Sequence, residues 1–207
     1  MAEDGELGLR ERKKLNTRRA LSDAALELVL EGGLENVRRE DIAARAGVSI
    51  RTFNNYFASK YEALAYRQIE RMKRSVEILR SRPAGEPLWT AIAEACARPL
   101  EDEGGADRVP SREQLAAVRE VMTAPEMHGA VQKAVLGADG ELVAVIAGRT
   151  GTDPARDLYP RLVASAIGAA WQAAADLYLR ADPPVPIVSL LRRAIDQIAA
   201  GLPDPSA

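Results

Sequence analysis

Residues 47–60 read GVSIRTFNNYFASK, and this stretch decides the fold of the N-terminal part of the chain. The preceding segment, REDIAARA (39–46), predicts a short helix that ends at Gly47, because glycine reaches the left-handed conformation without a steric cost. Ser49 then offers a side-chain oxygen that can cap a second short helix over about residues 50–57. Two short helices joined by a tight turn with glycine predict a helix-turn-helix unit.

The second helix of this unit has an apolar side and a polar side. Phe53 and Phe57 lie one helical turn apart and are expected to face the core. The residues nearer the solvent side are then Ile50, Arg51, Thr52, Asn54 and Asn55. In a helix-turn-helix, residues at the start of the second helix enter the DNA major groove, where Arg pairs with guanine and Asn with adenine. The sequence therefore predicts a helix that reads base edges.

The expected roles on this helix differ from residue to residue. Arg51 and Thr52 are expected to approach base edges, and Asn55 to contact a base or an adjacent phosphate. Asn54 is expected near the DNA backbone, and Tyr56 either donates its hydroxyl to a phosphate or packs against the protein.

The residues on either side of this unit are suited to phosphate. Ser59 and Lys60 begin the next predicted helix, where backbone amides and a positive charge favour an anion. The run RERKKLNTRR (10–19) holds six basic residues and one acidic residue. Such a run either meets a polyanion or forms a solvated basic tail.

Composition narrows the class of protein. The chain has 207 residues, is 47% apolar and 28% charged, and contains one cysteine and one histidine. These counts exclude an intrachain disulfide and argue against a zinc cluster, and they fit a reducing cytoplasm. The start of the chain carries no apolar stretch typical of a signal peptide. Residues 1–82 have a net charge of +4 and residues 83–207 one of −6, which predicts a basic end that meets a polyanion.

The spacing of apolar residues predicts helices only. Alanine is abundant, and no stretch shows the alternation typical of a strand. In addition to the two short helices, the pattern predicts helices over about 17–31, 59–81, 87–101, 111–123, 125–149, 156–181 and 186–200. Asn16 or Thr17 is expected to cap the first of these, and a kink is possible at Gly137 and Gly140. The expected fold is all-α, with about nine helices.

The segments IAARAGVSIRTFNNYFASKYEAL (42–64) and RRALSDAALELVLEGGLENV (18–37) resemble the DNA-binding domain of the TetR family of bacterial transcriptional regulators. The chain is similar to members common in actinobacteria. The resemblance implies a homodimer in which three N-terminal helices bind DNA and a C-terminal helical domain binds an effector and dimerises. It implies a disordered tail over residues 1–9, a DNA-binding domain over 10–58 and a regulatory domain over 59–207.

Two positions depart from the family pattern. Arg38 and Arg39 stand where the family usually has a capping Thr followed by Thr or Val, so two cations replace one hydroxyl at the start of that helix. Asn54 stands where the family usually has an aromatic residue, which leaves open whether it contacts a phosphate or a base. The candidate DNA contacts are Arg38, Arg39, Ser49, Ile50, Arg51, Thr52, Asn54, Asn55, Tyr56 and Lys60.

The C-terminal part offers a candidate ligand pocket and a candidate dimer interface. The candidate pocket residues are Trp89, Ile92, Leu115, Arg119, Met122, Met127, Val131 and Trp171. The apolar members equally suit a plain core, and Arg119 suits either an acidic effector or a surface ion pair. The last two predicted helices carry small residues and a broad apolar stripe, which suits a two-fold four-helix interface.

The expected function follows from these features. Together with these features, the resemblance implies a cytoplasmic homodimeric repressor that a small hydrophobic effector releases from a palindromic double-stranded DNA operator. The alternative is a DNA-binding regulator gated by a partner protein or a lipid. An enzyme is not expected, because no catalytic constellation, glycine-rich phosphate loop or metal-ligand cluster is found. No cofactor and no membrane association are expected, since the longest uncharged apolar run is shorter than a bilayer span.

Overall fold

The computed structural model describes residues 8–104 and 111–204, without the side chains of residues 128 and 131–139. These residues form nine α-helices and one 3-10 turn and contain no strand, which confirms the all-α prediction. The helices are α1 (Leu9–Gly32), α2 (Arg39–Arg45), α3 (Ile50–Tyr56), α4 (Lys60–Ser81), α5 (Leu88–Asp102), α6 (Arg112–Thr123), α7 (Pro125–Thr150), α8 (Leu158–Arg180) and α9 (Ile187–Ala199).

Helix α1 begins earlier than the sequence predicts. It starts at Leu9 rather than near residue 17, so the basic run is helical. Neither Asn16 nor Thr17 is therefore a cap; the Thr17 hydroxyl donates to the carbonyl of Lys13 at 2.9 Å, inside the helix. The physical reason is that Arg, Lys, Glu and Leu, which fill this run, are all good helix formers. Residues 1–7 of the predicted tail lie outside the described residues.

The connection between α1 and α2 contains an element that the sequence did not predict. Gly33 has a φ of +79°, and a short 3-10 turn follows at Leu34–Asn36. The side chains of Leu34 and Val37 are 5% and 4% exposed, so both ends of the turn are anchored in the core. The chain reaches α2 through this turn, which therefore sets where α2 begins.

Serine side chains cap three of the helices whose starts the sequence predicts. The hydroxyl oxygen of Ser59 accepts from the amide of Glu62 at 3.2 Å. Ser111 accepts from the amide of Gln114 at 3.1 Å, and its own amide donates to Gln114 Oε1 at 3.0 Å, which is a capping box. The third serine, Ser49, belongs to the helix-turn-helix and is described below.

Helices α7 and α8 accommodate residues that disfavour helix. Helix α7 is continuous through Gly137 and Gly140, so these glycines do not break it. Pro160 lies in the first turn of α8, where its missing amide costs no helical hydrogen bond.

The described residues divide into two compact units. The first unit comprises those of Met1–Gln68 together with Ala117–Val131, and the second those of Ile69–Ala116 and Gln132–Ala207. Helices α1, α2 and α3 belong to the first unit, where α2 packs against both of the others. A short segment far along the chain, Ala117–Val131, therefore belongs to the same unit as the helix-turn-helix.

The second unit has a core formed mainly by α5, α8 and α9. Helix α9 packs against both α5 and α8, and Ile92, Leu191 and Ile195 are fully buried there. Cys96 lies in this core, and burial raises the pKa of its thiol to about 12. The thiol is therefore protonated at neutral pH and behaves as a small apolar side chain.

The guanidinium of Arg149, at the end of α7, binds the end of α4 and the chain that follows it. Nη1 donates to the carbonyls of Leu79 and Arg82 at 3.3 and 2.9 Å. Nη2 donates to the carbonyls of Pro83 and Glu86 at 3.0 and 3.4 Å. The last carbonyls of a helix have no partner within it, so one side chain here supplies what the helix itself cannot.

Helix α8 exposes apolar side chains along its outer face. Leu158, Leu162 and Leu177 are 67%, 55% and 46% exposed, and the small residues Gly168, Ala169 and Ala173 between them are also exposed. By length and composition alone, α8 could also span a membrane. The uncharged apolar run inside α8 is shorter than a bilayer span, as predicted, but the whole helix of 23 residues reaches that length.

Candidate nucleic-acid interface

The turn between α2 and α3 has the geometry that the sequence predicts. Gly47 has a φ of +68°, and its amide donates to the carbonyl of Ala44 at 3.1 Å. The amide of Val48 donates to the carbonyl of Ala43 at 2.9 Å. Ser49 Oγ then accepts from the amide of Thr52 at 3.1 Å and caps α3. These local hydrogen bonds fix the angle at which α3 leaves the turn.

The buried side of α3 fixes its rotation about its own axis. Phe53 is fully buried and Phe57, the residue just after the helix, is 6% exposed, as their spacing predicts. Their rings lie 6.0 Å apart, and Phe57 also meets Tyr66 of α4 edge-on at 5.7 Å. Aromatic contacts of this kind add specific geometry to apolar burial. Helix α3 is therefore held with one defined face outward.

The outward face of α3 carries the predicted polar residues. Arg51, Asn54 and Asn55 are exposed, and Ile50 is 37% exposed. Thr52 is half-buried, and its hydroxyl lies 2.9 Å from the hydroxyl of Ser49. The face thus presents one guanidinium and two carboxamides, which are the groups that read guanine and adenine in the major groove.

Two cations at the start of α2 lie beside this face. Arg39 Nη1 donates to Asn54 Oδ1 at 3.3 Å, and both side chains are exposed. Arg38 is the residue before α2 and makes no side-chain capping bond, so the departure from a capping Thr leaves this end without a hydroxyl cap. The structure therefore brings Arg39 and Asn54 together, although they are 15 residues apart in the chain.

Arg18 of α1 belongs to this region, although it is not among the residues that the sequence predicts as DNA contacts. Its guanidinium carbon lies 5.8 Å from the ring centre of Tyr56 and 6.0 Å from that of Tyr66. A cation at this distance from an aromatic face is attracted to it. Tyr56, for which a phosphate contact and a packing role were both open, is in this structure half-buried beside Arg18.

Lys60 has two protein acceptors. Its Nζ donates to the carbonyl of Leu34 at 2.7 Å and to that of Val37 at 3.1 Å. An ammonium group has three N–H donors, so one of them is not used by these carbonyls. Lys60 therefore ties the start of α4 to the 3-10 turn before α2, a role that residue types do not predict because the acceptors are backbone atoms.

The starts of α2 and α4 border a surface cleft of about 420 Å³. Its lining residues are Val37, Arg38, Arg39, Glu40, Ala58, Ser59, Lys60 and Tyr61. Two arginines and a lysine thus lie beside the N-termini of two helices, and such an environment favours an anion. The cleft adjoins the polar face of α3 through Arg39.

Arg45 of α2 forms ion pairs within the first unit, in contrast to the cations that line the cleft. Its guanidinium binds Glu31 of α1 through two hydrogen bonds of 2.9 and 2.7 Å, and Glu27 lies 3.4 Å away. The hydrogen bond from Arg45 lowers the pKa of Glu31 below its ordinary value, although burial opposes this. The pair holds α2 against α1, so the charge of Arg45 is largely neutralised.

The eight predicted pocket residues are distributed over both units. Trp89, Ile92 and Trp171 belong to the core of the second unit or pack against it, and Leu115 of that unit is also buried. Arg119, Met122 and Met127 belong to the first unit, and Met127 is 4% exposed. The side chain of Val131 lies outside the described residues. The pocket remains a prediction.

A surface cleft in the second unit has a different character from the predicted apolar pocket. It has a volume of about 520 Å³ and lies between α4 and α5. Its lining residues are Arg74, Ile78, Ser81, Arg82, Pro83, Glu94, Arg98 and Asp102. Arg74 and Arg98 both pair with Asp102. Charged groups that already neutralise one another dominate this lining.

Nearby, Arg192 of α9 binds two carboxylates of α5. Its guanidinium lies 2.6 Å from Glu94 Oε1 and 2.8 Å from Glu101 Oε1. The hydrogen bond from Arg192 lowers the pKa of Glu94 below its ordinary value, against the effect of burial. These ion pairs join α5 to α9 within the second unit.

Comparison with known proteins agrees with the geometry of the first unit. The family model described as bacterial regulatory proteins, tetR family, matches residues 21–65, and the one described as MftR C-terminal domain matches residues 86–203. The transcriptional regulator TcmR of Streptomyces glaucescens is 32% identical over 196 residues, covering 92% of this chain and 86% of TcmR.

Solved structures share the fold at lower identity. The fatty acid degradation regulator FadR of Bacillus halodurans superposes with a TM-score of 0.59 at 20% identity, covering 90% of this chain and 96% of that one. FadR of Thermus thermophilus, a repressor in complex with lauroyl-CoA, superposes with a TM-score of 0.58 at 18% identity, covering 92% and 97%. The chain has a helix-turn-helix of this geometry, and family models and a relative match most of its length. It therefore belongs to the TetR family of bacterial transcriptional regulators.

Proposed function

We propose that this protein is a cytoplasmic, homodimeric repressor that binds a palindromic operator through α3 and leaves it when an effector binds. The observation that carries the proposal is the outward face of α3, where Arg51, Asn54 and Asn55 are exposed above the buried Phe53. These side chains suit base edges, while Arg38 and Arg39 of the adjoining cleft suit phosphates. Residues 10–58 would supply the DNA contacts and residues 59–207 the regulation.

The homodimer is proposed from the exposed face of α8. Exposed leucines at both ends of this face and small residues between them would let a second helix approach closely. Helix α9 packs beside α8, so two copies of the pair would form a four-helix interface. Burial in such an interface also accounts for the apolar character of α8 without a membrane. A two-fold dimer would present two copies of α3 to a palindromic site.

The effector is proposed to be a small hydrophobic molecule bound by the regulatory residues. Support comes from the predicted apolar residues Trp89, Ile92 and Trp171 and from the FadR of Thermus thermophilus, whose complex contains lauroyl-CoA. The alternative is gating by a partner protein or a lipid. It is favoured by the packing of Ile92 within the core of the second unit and of Trp89 and Trp171 against that core, since a filled core leaves little room for a ligand.

Selection of bound duplexes from a random DNA pool tests the DNA-binding part of this proposal. We expect a palindromic consensus and a dimer mass by sedimentation at micromolar concentration. Equal binding to all duplexes, or a monomer at this concentration, would contradict it. Displacement of the selected duplex by lauroyl-CoA, free fatty acids and unrelated metabolites, with lipid vesicles as a separate arm, then distinguishes a soluble effector from a lipid surface.

A further inference from the structure

The 3-10 turn between α1 and α2 is held by two charged side chains from elsewhere in the first unit. The amide of Leu34 donates to Glu120 Oε2 of α6 at 3.2 Å. The carbonyl of Leu34 accepts from Lys60 Nζ of α4 at 2.7 Å, and that of Val37 accepts from the same ammonium at 3.1 Å. One turn of backbone is thus bound on its amide side by a carboxylate and on its carbonyl side by a cation.

These contacts control the start of α2. The turn ends at Asn36, Val37 is buried, and Arg38 is the residue from which α2 begins. Because α2 is only seven residues long and packs directly against α3, a displacement of the turn would be passed to both helices. Hydrogen bonds to charged groups are about twice as strong as neutral ones, which suits them to fixing a short backbone segment.

Glu120 is remote from the helix-turn-helix in sequence but not in structure. It lies 86 residues beyond Leu34, in the segment Ala117–Val131 that belongs to the first unit. Val121 and Met127 of this segment are 6% and 4% exposed, so the segment is anchored by apolar burial. Its oxygen also lies 3.8 Å from the position that a Cβ on Gly33 would take, so the approach to the turn is close.

We propose that Glu120 is a positioning residue for DNA binding, acting through the Leu34–Val37 turn in concert with Lys60. The proposal rests on the proposed function, since it assigns Glu120 a role in presenting α3 to an operator. Glu120 does not itself touch DNA in this role. It accepts the Leu34 amide and thereby holds the entry to α2 in the geometry that α3 requires.

Two carboxylate substitutions and a matched control separate this role from general stability. Glu120→Ala removes the acceptor, whereas Glu120→Gln removes the charge and keeps a carbonyl oxygen that can accept the same amide. Glu126→Ala removes an exposed carboxylate from the same segment. All three remove one negative charge, so long-range electrostatics alone predicts tighter DNA binding for all three. Loss of positioning predicts weaker binding for Glu120→Ala only.

The measurement is affinity for the duplex that the wild-type protein selects from a random pool. It is made at one salt concentration and at a temperature where circular dichroism shows each variant folded. We expect Glu120→Ala to bind about tenfold more weakly. Glu120→Gln and Glu126→Ala should bind at least as tightly as the wild type. The salt dependence of Glu120→Ala should match the wild type, because no phosphate contact is lost.

Amide hydrogen exchange gives a second readout on the same proteins. The Leu34 amide should lose protection in Glu120→Ala and retain it in Glu120→Gln. A folded Glu120→Ala that binds as tightly as the wild type, or a Glu120→Gln as weak as Glu120→Ala, would overturn the assignment. If the wild-type protein selects no sequence, it is the proposed function that fails. If the wild-type protein selects an operator and Glu120→Ala binds it with unchanged affinity, only the role of Glu120 is overturned.

Discussion

Arg39 of α2 and Asn54 of α3 are joined by a hydrogen bond of 3.3 Å from the guanidinium to the carboxamide oxygen. The bond crosses from one helix of the helix-turn-helix to the other on their exposed side. The TetR family usually has an aromatic residue at the position of Asn54. Here a carboxamide holds a cation beside the outward face of α3, so these two residues are expected to act on DNA together.

Asn54→Asp tests the nature of this pair. A carboxylate at this position would form an ion pair with Arg39 and withdraw its charge from phosphate. We expect weaker binding to every sequence by a similar factor and a salt slope smaller by about one unit. Titrations of several duplexes at several salt concentrations measure both. A change in the preferred base at one operator position would instead show that Asn54 reads a base.

Arg51→Ala tests base reading by the outward face of α3. A bidentate contact between Arg and guanine contributes about 1–3 kcal/mol of discrimination, so the variant should lose affinity and tolerate other bases at one position. Binding to a panel of single-base operator variants measures this. Arg193→Ala removes the same charge from an exposed position on α9 and should leave the base preference unchanged. A uniform loss across the panel would assign Arg51 to phosphate.

Phe53→Ala tests the buried side of the same helix. Phe53 is fully buried, and truncation of a buried phenylalanine costs about 3–5 kcal/mol, which should unfold the first unit or lower its melting temperature strongly. Thermal melting by circular dichroism measures the effect. Ile50→Ala truncates a 37% exposed residue three positions earlier and should melt close to the wild type. A stably folded Phe53→Ala with altered base preference would reverse the assigned faces.

Leu162→Glu tests the proposed dimer. Leu162 is 55% exposed on α8, so a charge there costs little in the single chain but would be buried without a partner in a helix-helix interface. We expect a monomer by sedimentation equilibrium and greatly reduced operator binding. Leu9→Glu places the same charge at a 69% exposed position on α1 and should remain dimeric. A Leu162→Glu dimer of wild-type strength would place the interface elsewhere.

The ion pair between Arg192 and Glu94 predicts a dependence of stability on pH. The Arg192 hydrogen bond lowers the pKa of Glu94 from its ordinary value of 4.5. A lowered pKa in the folded state stabilises that state fully above the ordinary value and progressively less as pH falls through the lowered one. The difference in free energy of unfolding between the wild type and Glu94→Gln should therefore be constant near neutral pH and shrink below about pH 4.5. Urea unfolding between pH 3 and 7 measures it, and a difference that does not change with pH would refute the coupling.

The helix caps, the turn and the buried face of α3, which the sequence predicts correctly, depend on residues close together in the chain. The caps at Ser49, Ser59 and Ser111 and the turn at Gly47 each depend on atoms within four residues, and the burial of Phe53 and Phe57 depends on helical spacing. The same local sequence pattern produces such interactions in unrelated proteins. Helix positions and the inward face of α3 could therefore be predicted from the chain alone.

What the sequence did not predict depends on residues distant in the chain. Glu120 reaches Leu34 across 86 residues, and Arg18 reaches Tyr56 only because α1 and α3 are neighbours in the fold. The acceptors of Lys60 are backbone carbonyls, which leave no trace in residue type. The early start of α1 was missed because a dense run of charge suggested a tail, whereas the same residues are good helix formers.

The continuity of α1 from Leu9 gives its basic run a fixed phase. Arg10, Lys14 and Arg18 recur every fourth residue, so they form one row along the helix, with about 6 Å of axial rise between successive members. Arg18 lies over the ring of Tyr56, which places that end of the row beside the end of α3. An inserted residue between Lys14 and Arg18 would rotate the first two charges by about 100° relative to the third. Because the run is helical, the direction of each charge is fixed, and we expect such an insertion to change DNA affinity although the number of charges stays the same.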